Sequence, residues 1–418
     1  MESGDRDVVV LTGATGFLGR ELLWKLMTEL PLPYDIVCII REGGEGAKGR
    51  EGRVGKHGHD GARPAPAART PEQSQAAADA RLVELLDSSC PLSAADPRRQ
   101  RVRALRGDIT QPRLGLSEAA FDRLAAACAY IFHGAATVRF DMPLVDAQRI
   151  NVEGTRVILE LGQAAQRHGR LQRFCYIGTA YVAGQRIGRV TEDELQCGQQ
   201  FNNTYEQTKC AAEALVRALM QPGSSPPLPA TLFRPSIIVG NSKSGYTSSF
   251  KVMYWPLKIF ARGLIPIVPA SRSGLVDLVP VDYVVDAIWE LCRLPGALGQ
   301  CYHLAAGPEQ QITIGAAMED AARFFNVYKP LFMPTASYDR YVRPILQLLF
   351  RGKRRRVLDS GRVYVPYLNY RASFDTTNAR RDLRPSGLQV PSVREYFETL
   401  LRYCVASDWG KRPTQPSA

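Results

Sequence analysis

The sequence predicts an α/β protein with a doubly wound parallel sheet and a smaller, mostly helical C-terminal lobe. The first observation is a β-branched run at 7–12 (DVVVLT) that ends at a glycine cluster, and the second is helical spacing of apolar residues directly after it, over 17–27. A second buried strand follows at 35–41, and strand–turn–helix–strand units of this kind form parallel sheets. The third observation is that the alternation is lost beyond residue 240, where another lobe is expected to begin.

The remaining elements follow from the same alternation of strands and helices. Strands are predicted at about 101–107, 130–136, 174–180 and 230–239, with helices over about 143–168 and around residue 205. This spacing is typical of the Rossmann arrangement, in which right-handed crossovers place helices on both faces of the sheet. We therefore assign residues 1–245 to a Rossmann domain, completed by a strand, a helix and a strand within 276–307. Residues 246–275 and 308–418 are expected to form a substrate-binding lobe.

One segment, 43–75, interrupts the pattern. It is rich in Gly, Ala, Pro and Arg and has almost no bulky apolar side chains. Because it offers too little apolar surface to offset the entropy of ordering the chain, a disordered insertion is expected. A helix is predicted to resume at 76–88.

Composition limits the classes of function. The net charge is +12, and residues 351–362 carry six Lys or Arg against one Asp, which indicates a solvated face or a contact with acidic groups. No DNA-binding motif accompanies this run, so no nucleic-acid partner is expected. The nine cysteines and five histidines show neither CxxC pairs nor metal-ligand spacing. This pattern predicts reduced thiols and no metal site.

The N-terminus and the apolar runs bear on the location of the protein. The N-terminal MESGDRD is charged and lacks the apolar stretch of a signal peptide. No run reaches the ~18 apolar residues that a membrane-spanning helix needs. A cytoplasmic protein is expected, with contact to a membrane surface as an open alternative.

The glycine cluster between the first strand and the first helix carries the first functional motif, TGATGFLG at 12–19. In such a turn, Gly13 permits the tight bend, Gly16 lets the backbone approach a pyrophosphate, and Gly19 allows close helix packing. The N-terminus of the helix also favours phosphate charge. The predicted dinucleotide contacts in this turn are Gly13, Thr15, Gly16, Phe17, Leu18 and Gly19.

The end of the second strand indicates which dinucleotide binds. An Asp or Glu there binds the ribose 2′-hydroxyl of NAD, whereas Arg41 suits the 2′-phosphate of NADPH. NADPH is therefore the predicted cofactor, and a plain surface arginine is the alternative. Asp108 and Ile109 end the third strand and are placed to meet the adenine, although an Asp after a strand is also common for local turn reasons.

The second motif is YEQTK at 205–209, at the start of a predicted helix. Tyr205 and Lys209 are four residues apart and therefore lie on one helical face. An ammonium near a phenol favours the phenolate, and it can also hold a nicotinamide ribose. The phenol can then donate a proton to an oxygen that gains charge as hydride arrives. With Thr179 at a strand end 26 residues earlier, the motif predicts a nicotinamide-dependent oxidoreductase.

In their order along residues 7–307, these motifs resemble the extended short-chain dehydrogenase/reductase superfamily. The shared strings are TGATGFLG, GDI, HGAA, INVEGT, YIGTAYVAG, YEQTK and FRPSIIVG. The catalytic triad that the resemblance implies is Thr179, Tyr205 and Lys209, with the threonine hydroxyl helping to hold a substrate carbonyl. The further cofactor contacts that it implies are Ala135, Pro235 and Ile237. It also implies that Asn151 supports the active-site helix, for which a structural hydrogen bond is an equal explanation.

Within that superfamily the chain is most similar to acyl-thioester reductases, which include fatty acyl-CoA reductases and the terminal reductase domains of peptide synthetases. GDITQPRLGLS, FRPSIIVGNSKSG and DLVPVDYVVDAI carry this similarity. It implies hydride transfer from NADPH to a coenzyme A or carrier-protein thioester, which gives an aldehyde. A second hydride would give the alcohol, and the sequence does not decide whether that step occurs. The chain departs from that branch at Gly178, where a serine is frequent, and in the 43–75 insertion near the adenosine end of the site.

Two segments of the second lobe bear on the substrate. The aromatic and apolar residues of 250–269 can line a channel for a long acyl chain or simply pack within the lobe. The apolar stripe and basic end of 340–356 suit a peripheral membrane contact, the phosphates of coenzyme A or phosphopantetheine, or a plain surface helix. Two other functions stay open: an extended-family enzyme for a ketone or alcohol such as a sterol or nucleotide sugar, and a non-catalytic NADPH-binding regulator.

Overall fold

The computed structural model of the chain describes residues 6–31, 34–41, 70–221, 223, 226–264, 266–349, 351–352, 355 and 361–412. The strands of its main sheet are β1 (Val8–Thr12), β2 (Asp35–Ile40), β3 (Val102–Arg106), β4 (Cys128–His133), β5 (Arg173–Ile177), β6 (Ala230–Pro235) and β7 (Cys301–Leu304). All neighbouring strands in it are parallel, and their order is β3-β2-β1-β4-β5-β6-β7. This is a doubly wound order, so the predicted fold class is confirmed.

Helices cover both faces of this sheet. They are, in chain order, α1 (Phe17–Glu29), α2 (Pro71–Ser89), α3 (Glu118–Ala127), α4 (Gly154–Arg167), α5 (Thr204–Met220) and α6 (Val281–Arg293). The apolar residues of α1, α2 and α6 form a first core on one face, and those of α3, α4 and α5 form a second core on the other. Because the central strands are covered on both faces, their β-branched runs are continuous rather than alternating.

The strand predicted at 230–239 is divided in two. β6 ends at Pro235, which has no N–H to continue the ladder, and Ile237–Val239 forms a separate short strand. That strand pairs in parallel with Leu278–Pro280 instead of joining the main sheet. The chain therefore leaves the sheet at Pro235 and enters the second lobe.

The end of the predicted insertion 43–75 is wrong, because α2 begins at Pro71 and not at residue 76. Thr70 caps the helix in a reciprocal pair of hydrogen bonds with Gln73. The Gln75 side chain also donates to the Ala104 carbonyl oxygen and accepts from the Arg106 N–H, which satisfies part of the edge strand β3. The rest of that prediction, 43–69, lies outside the described residues.

The helix predicted over 143–168 contains a change of helix type. Leu144–Gln148 is α-helical, Arg149–Glu153 forms a π-helical turn, and α4 continues from Gly154. A π turn accommodates one extra residue in a helix and is frequent at functional sites. Asn151 lies within this turn.

The second lobe is mostly helical. Among its described residues, the α-helices of four or more residues are Tyr254–Phe260, Gly307–Gln310, Ile314–Phe325, Arg343–Leu349, Val365–Leu368, Thr377–Leu383 and Val393–Ala406. They enclose a third core, to which Leu278 and Tyr396 belong. Thr377–Leu383 differs from the others, because Ala379 and Leu383 pack into the first core against the sheet.

The apolar segment 250–269 packs largely within its own lobe. Tyr254, Leu257 and Phe260 lie on the buried side of their helix and belong to the third core. The ring of Phe250 stacks on that of Tyr403, with a centroid distance of 6.2 Å. Packing within the lobe therefore accounts for these side chains, since residues enclosed in a core leave little surface for an acyl chain.

Candidate active site

The carboxyl ends of β1 and β4 meet where the winding of the sheet reverses, which is where open α/β sheets bind ligands. Gly13 follows β1 with a φ of +83°, in the region that glycine adopts readily. A Cβ atom on Gly13 would lie 2.9 Å from the backbone nitrogen of Ala135, so a side chain would push the two strand ends apart. The Ala135 N–H donates to the Thr12 hydroxyl at 3.2 Å and holds the two ends together.

The turn after Gly13 leaves the N-terminus of α1 open. Gly16 is the N-cap, and its N–H donates to the Gly13 carbonyl oxygen at 2.9 Å. Among the described residues, no side chain caps α1, and its first turn has no acidic residue, so its first N–H groups are available to an anion. A Cβ atom on Gly19 would lie 2.1 Å from the Gly13 carbonyl oxygen, so α1 packs closely on the turn. These features fit the phosphates of a nicotinamide dinucleotide.

The other residues of this turn that are predicted to contact the dinucleotide differ in their exposure. Thr15 is exposed, like Gly16. Phe17 and Leu18 are partly buried and rest on the first core. The turn is therefore anchored by its apolar residues and open at its polar end.

Arg41 directly follows β2 and is exposed at the same edge of the sheet as the glycine turn. Arg81 of α2 donates a hydrogen bond to the carbonyl oxygen of Arg41, so a second arginine lies next to it. Guanidinium groups in this position suit a phosphate. The sequence did not indicate Arg81, because its contact with Arg41 depends on how α2 packs after a long intervening segment.

Asp108 and Ile109 follow β3, and their side chains are engaged locally. The Asp108 carboxylate accepts hydrogen bonds from the N–H and the hydroxyl of Thr110 at 2.9 and 2.8 Å. Ile109 packs against Gly154 of α4, where a Cβ atom would lie 2.7 Å from the Ile109 Cδ1 atom. The local turn explains the geometry of Asp108, and contact of either residue with an adenine stays a prediction.

Tyr205 lies in the first turn of α5, whose start is fixed by polar side chains. Asn203 is the N-cap, and its side chain accepts from the Glu206 N–H at 3.0 Å. The Glu206 carboxylate in turn accepts from the Asn202 N–H at 2.8 Å. The start of α5, and with it Tyr205, is therefore held by a network on both sides of the tyrosine.

Lys209 lies one turn further along α5 and is buried. Its ammonium donates to the Ile177 carbonyl oxygen at 2.8 Å and lies 4.4 Å from the centre of the Tyr176 ring. Both contacts belong to β5, so Lys209 ties α5 to the carboxyl end of that strand. Burial lowers the pKa of Lys209 to about 7, while the nearby Glu213 carboxylate raises it.

Tyr205 keeps its proton at neutral pH. Its enclosed position raises the pKa of the phenol to about 12. The Thr179 hydroxyl lowers this pKa and the Glu206 carboxylate raises it, so both side chains act on the phenol. A phenol that holds its proton between these groups is suited to proton donation.

Thr179 connects the ends of β5 and β6. Its hydroxyl accepts from the Tyr181 N–H at 3.3 Å and donates to the Pro235 carbonyl oxygen at 3.4 Å. Thr179 and Pro235, both of which the resemblance assigns to the site, are thus in contact. Packing explains why glycine stands at position 178, because a Cβ atom there would lie 3.3 Å from a Glu213 carboxylate oxygen. A serine at this position would crowd that carboxylate.

Asn151 joins the active-site helix to the loop after β4. Its side-chain amide donates to the Thr208 hydroxyl at 2.9 Å and to the Thr137 carbonyl oxygen at 3.2 Å, and it accepts from the Thr137 N–H at 2.8 Å. The bond to Thr208 fits support of the active-site helix, and the two bonds to the Thr137 backbone fit the structural explanation, so the role of Asn151 stays a prediction. Ile237 lies further out, partly buried between the third core and a smaller cluster around Tyr181.

Two side chains near the start of α5 had no signal in the sequence. The ring of Phe140 lies 5.8 Å from the ring of Tyr205, centroid to centroid. Tyr367 of the second lobe donates its hydroxyl to the Glu206 carboxylate at 2.6 Å, across 161 residues of chain. No local pattern indicates a contact of that separation.

Two curated relatives bear on this site. The mouse protein (Mus musculus) named fatty acyl-CoA reductase 1 is 29% identical over 309 residues, which cover 66% of this chain and 53% of the relative. A linear gramicidin synthase protein of Brevibacillus parabrevis is 29% identical over 301 residues, which cover 71% of this chain and 5% of the relative. The chain thus spans about half the length of the fatty acyl-CoA reductase (53%).

Solved structures extend the likeness over nearly the whole chain. The terminal R domain from the myxalamid biosynthetic pathway matches with a TM-score of 0.74 and 27% identity, covering 99% of this chain and 94% of that domain. A thiolation-reductase di-domain from an archaeal peptide synthetase matches with a TM-score of 0.67 at 19% identity, covering 96% and 76%, and supports the fold alone.

The family is shown by a match to a model of NAD-binding proteins. The model, described as "Male sterility protein", matches residues 11–57 and 68–288 and thus more than half of the 418 residues. The matched range includes the glycine turn and Tyr205, Lys209 and Thr179. The chain therefore belongs to the Male sterility protein family of NAD-binding, extended short-chain dehydrogenase/reductase proteins.

Proposed function

We propose that this protein is an NADPH-dependent reductase of acyl thioesters, with long-chain acyl-CoA or an acyl carrier protein as the donor. The observation that carries the proposal is the clustering of Tyr205, Lys209 and Thr179 around the ends of β5 and β6. This cluster shares a sheet edge with the glycine turn. The names of the matched relatives support the substrate class, because they include a fatty acyl-CoA reductase and the terminal R domain from the myxalamid biosynthetic pathway.

The chemistry of the cluster follows from its donors. The glycine turn would hold the phosphates of NADPH and Lys209 its nicotinamide ribose, and the reduced nicotinamide would supply a hydride when it is bound. Tyr205 donates its proton to the thioester oxygen as negative charge develops there, and the Thr179 hydroxyl provides a second hydrogen bond. The hydrogen bond from Thr179 to Pro235 is long at 3.4 Å, so its exchange for a substrate oxygen costs little.

Collapse of the hemithioacetal returns Tyr205 to its protonated state, and the oxidised cofactor must be exchanged for NADPH before another reduction. In the hemithioacetal, Tyr205 takes back the hydroxyl proton, the carbonyl re-forms, the C–S bond breaks and the thiolate leaves. The products are an aldehyde and a thiol, once the thiolate takes a proton from solvent. A second round on the aldehyde would give an alcohol.

The proposal is tested by mixing the purified protein with NADPH and a panel of acyl-CoAs of different length, with an aldehyde trap present. We expect NADPH absorbance to fall with thioesters and trapped aldehyde to accumulate in equal amount. Turnover of a hydroxysteroid or a nucleotide sugar without thioester reduction would instead favour the ketone or alcohol enzyme. NADPH binding without turnover of any substrate would favour the regulator.

Arg41→Ala is expected to weaken NADPH binding by roughly 10- to 100-fold, because a charge-assisted contact with the 2′-phosphate is lost. The affinity for NADH, which lacks that phosphate, should change less than about threefold. Fluorescence titration of each dinucleotide measures both values. Arg156→Ala is the matched control, because Arg156 lies on the exposed side of α4 and pairs with Glu153. Equal weakening of NADPH and NADH by Arg41→Ala would refute the 2′-phosphate contact.

We also propose a peripheral membrane contact at the helix Arg343–Leu349 and the turn before it. Tyr341, Ile345, Leu348 and Leu349 point outward with exposed fractions between 58% and 79%. Arg351 and Arg355 follow them and are exposed. An exposed apolar stripe beside arginines suits the surface of an anionic membrane. In the described part of the chain every helix is too short or too polar to cross a bilayer.

Leu348→Asp is expected to reduce binding to vesicles with anionic lipid by about tenfold, because a charge replaces an inserted apolar side chain. Cosedimentation with anionic and neutral vesicles at two salt concentrations measures this. Val405→Asp is the control, since Val405 is an exposed apolar residue on a different helix. Equal binding of the two variants would contradict the contact.

The cytoplasmic location that we propose rests on the nine cysteines, all of which are free thiols.

A further inference from the structure

Tyr367 reaches from the second lobe into the first turn of the active-site helix. It lies in the short helix Val365–Leu368 and is 6% exposed. Its hydroxyl donates to the Glu206 carboxylate at 2.6 Å and accepts from the Asn203 side-chain amide at 2.7 Å. Asn203 and Glu206 stand on either side of Tyr205 in the sequence. One hydroxyl from the lobe thus binds both groups that fix the start of α5.

The ring of Tyr367 contacts two further segments of the site. It stacks on Phe140 at a centroid distance of 5.2 Å, and Phe140 lies 5.8 Å from the Tyr205 ring. It also meets the edge of Tyr181 at 5.1 Å, and the Tyr181 N–H donates to Thr179. The loop after β4, the turn after β5 and the start of α5 therefore converge on one side chain.

The charge of Glu206 gives this contact a chemical effect. Burial raises the pKa of Glu206, and the hydrogen bond from Tyr367 lowers it. The Tyr367 hydroxyl thus favours the ionised carboxylate. Asn202 acts in the same direction through its N–H and its side-chain amide. Burial is the main cause of the raised pKa of the Tyr205 phenol, and an ionised Glu206 carboxylate beside it raises that pKa further.

We infer that Tyr367 is a positioning residue through which the second lobe holds the proton donor Tyr205 in place. The inference rests on the proposed function, because it assigns Tyr205 the role of proton donor. It implies that the lobe does more than enclose substrate: its docking onto α5 completes the catalytic geometry. A displacement of Tyr205 of the order of 1 Å is enough to lower a rate substantially.

Tyr367→Phe tests this, because it keeps the ring and removes only the hydroxyl. We expect kcat to fall roughly tenfold while KM for NADPH stays within about twofold, since the glycine turn is untouched. Tyr370→Phe is the matched control. Tyr370 packs on Tyr181 in the same cluster, at 5.0 Å, and its hydroxyl has no hydrogen-bond partner in the described part of the structure. That variant should keep wild-type kcat.

The conservative variant Glu206→Gln separates positioning from general packing. Its amide oxygen still accepts from Tyr367, so we expect a smaller loss of kcat than with Glu206→Leu. The double variant Glu206→Leu/Tyr367→Phe should lose less kcat than the two single losses combined predict, because both changes remove the same hydrogen bond between Tyr367 and Glu206. Only Tyr367→Phe also removes the hydrogen bond from Asn203. Unchanged kcat in Tyr367→Phe, or equal losses in Tyr367→Phe and Tyr370→Phe, would overturn the inference.

A readout without turnover distinguishes this inference from the proposed function. Amide hydrogen exchange at 203–207 should be faster in Tyr367→Phe than in Tyr370→Phe, because the first turn of α5 loses its tie to the lobe. Absence of thioester reduction by the wild-type protein would refute the proposed function alone. Equal exchange in the two variants would refute the positioning role, whichever substrate the protein reduces.

Discussion

Tyr205→Phe is expected to lower kcat for thioester reduction by roughly 10²- to 10⁴-fold while NADPH still binds. The phenol holds its proton at neutral pH, because its enclosed position raises its pKa to about 12. Phenylalanine keeps the ring beside Phe140 but offers no proton to the thioester oxygen. Single-turnover absorbance measurements give the rate of the chemical step, and fluorescence titration gives the affinity for NADPH.

Tyr130→Phe is the matched control for that experiment. It makes the same chemical change on β4, where the Tyr130 hydroxyl donates to Gln172 at 2.7 Å. Gln172 immediately precedes β5, so this hydrogen bond lies at the opposite edge of the sheet from Tyr205. Wild-type turnover is expected from Tyr130→Phe. Turnover surviving in Tyr205→Phe would mean that another group donates the proton.

Gly19→Ala is expected to raise the Kd for NADPH by up to about 100-fold. The added Cβ atom would lie 2.1 Å from the Gly13 carbonyl oxygen, so α1 must move away from the glycine turn. Since the first N–H groups of α1 belong to the proposed phosphate site, that movement disrupts the site directly. Fluorescence titration measures the loss of affinity, and circular dichroism verifies that the sheet has formed.

Gly296→Ala separates this effect from a general cost of replacing glycine. A Cβ atom on Gly296 would have no neighbouring atom within 4 Å among the described residues, so an alanine there meets open space. We expect both NADPH affinity and Tm to stay at wild-type values. If Gly19→Ala bound NADPH as tightly as Gly296→Ala does, the glycine turn would not be the phosphate site.

Strands, helices and turns that depend on a local sequence pattern could be predicted from the sequence. Continuous β-branched runs such as Val8–Thr12 mark strands buried on both faces, and these runs led to the sheet. The glycine turn was also accessible, because a tight bend against a neighbouring strand requires glycine at fixed spacing. The start of α2 was misjudged, since the composition of 43–75 concealed the capping pair Thr70 and Gln73.

The parts that depend on contacts between distant segments were not accessible. Tyr367 and Glu206 are 161 residues apart, and nothing near either residue signals the other. The hydrogen bond from Arg81 to the Arg41 carbonyl oxygen could not be predicted for the same reason, since the two residues are 40 positions apart. The aromatic residues of 250–269 posed a different difficulty, because hydrophobicity alone does not separate a channel lining from a core. Only the packing of Tyr254, Leu257 and Phe260 decides in favour of the core.

The π-helical turn Arg149–Glu153 has a consequence for how this chain tolerates insertions and deletions. Removing one residue from it would yield a regular α-helix and rotate everything on its N-terminal side by about 100°. Asn151 would then no longer face both Thr137 and Thr208. The length of the chain between β4 and α4 is thus a structural constraint in its own right, because a single deletion would turn Asn151 away from its partners without changing any side chain.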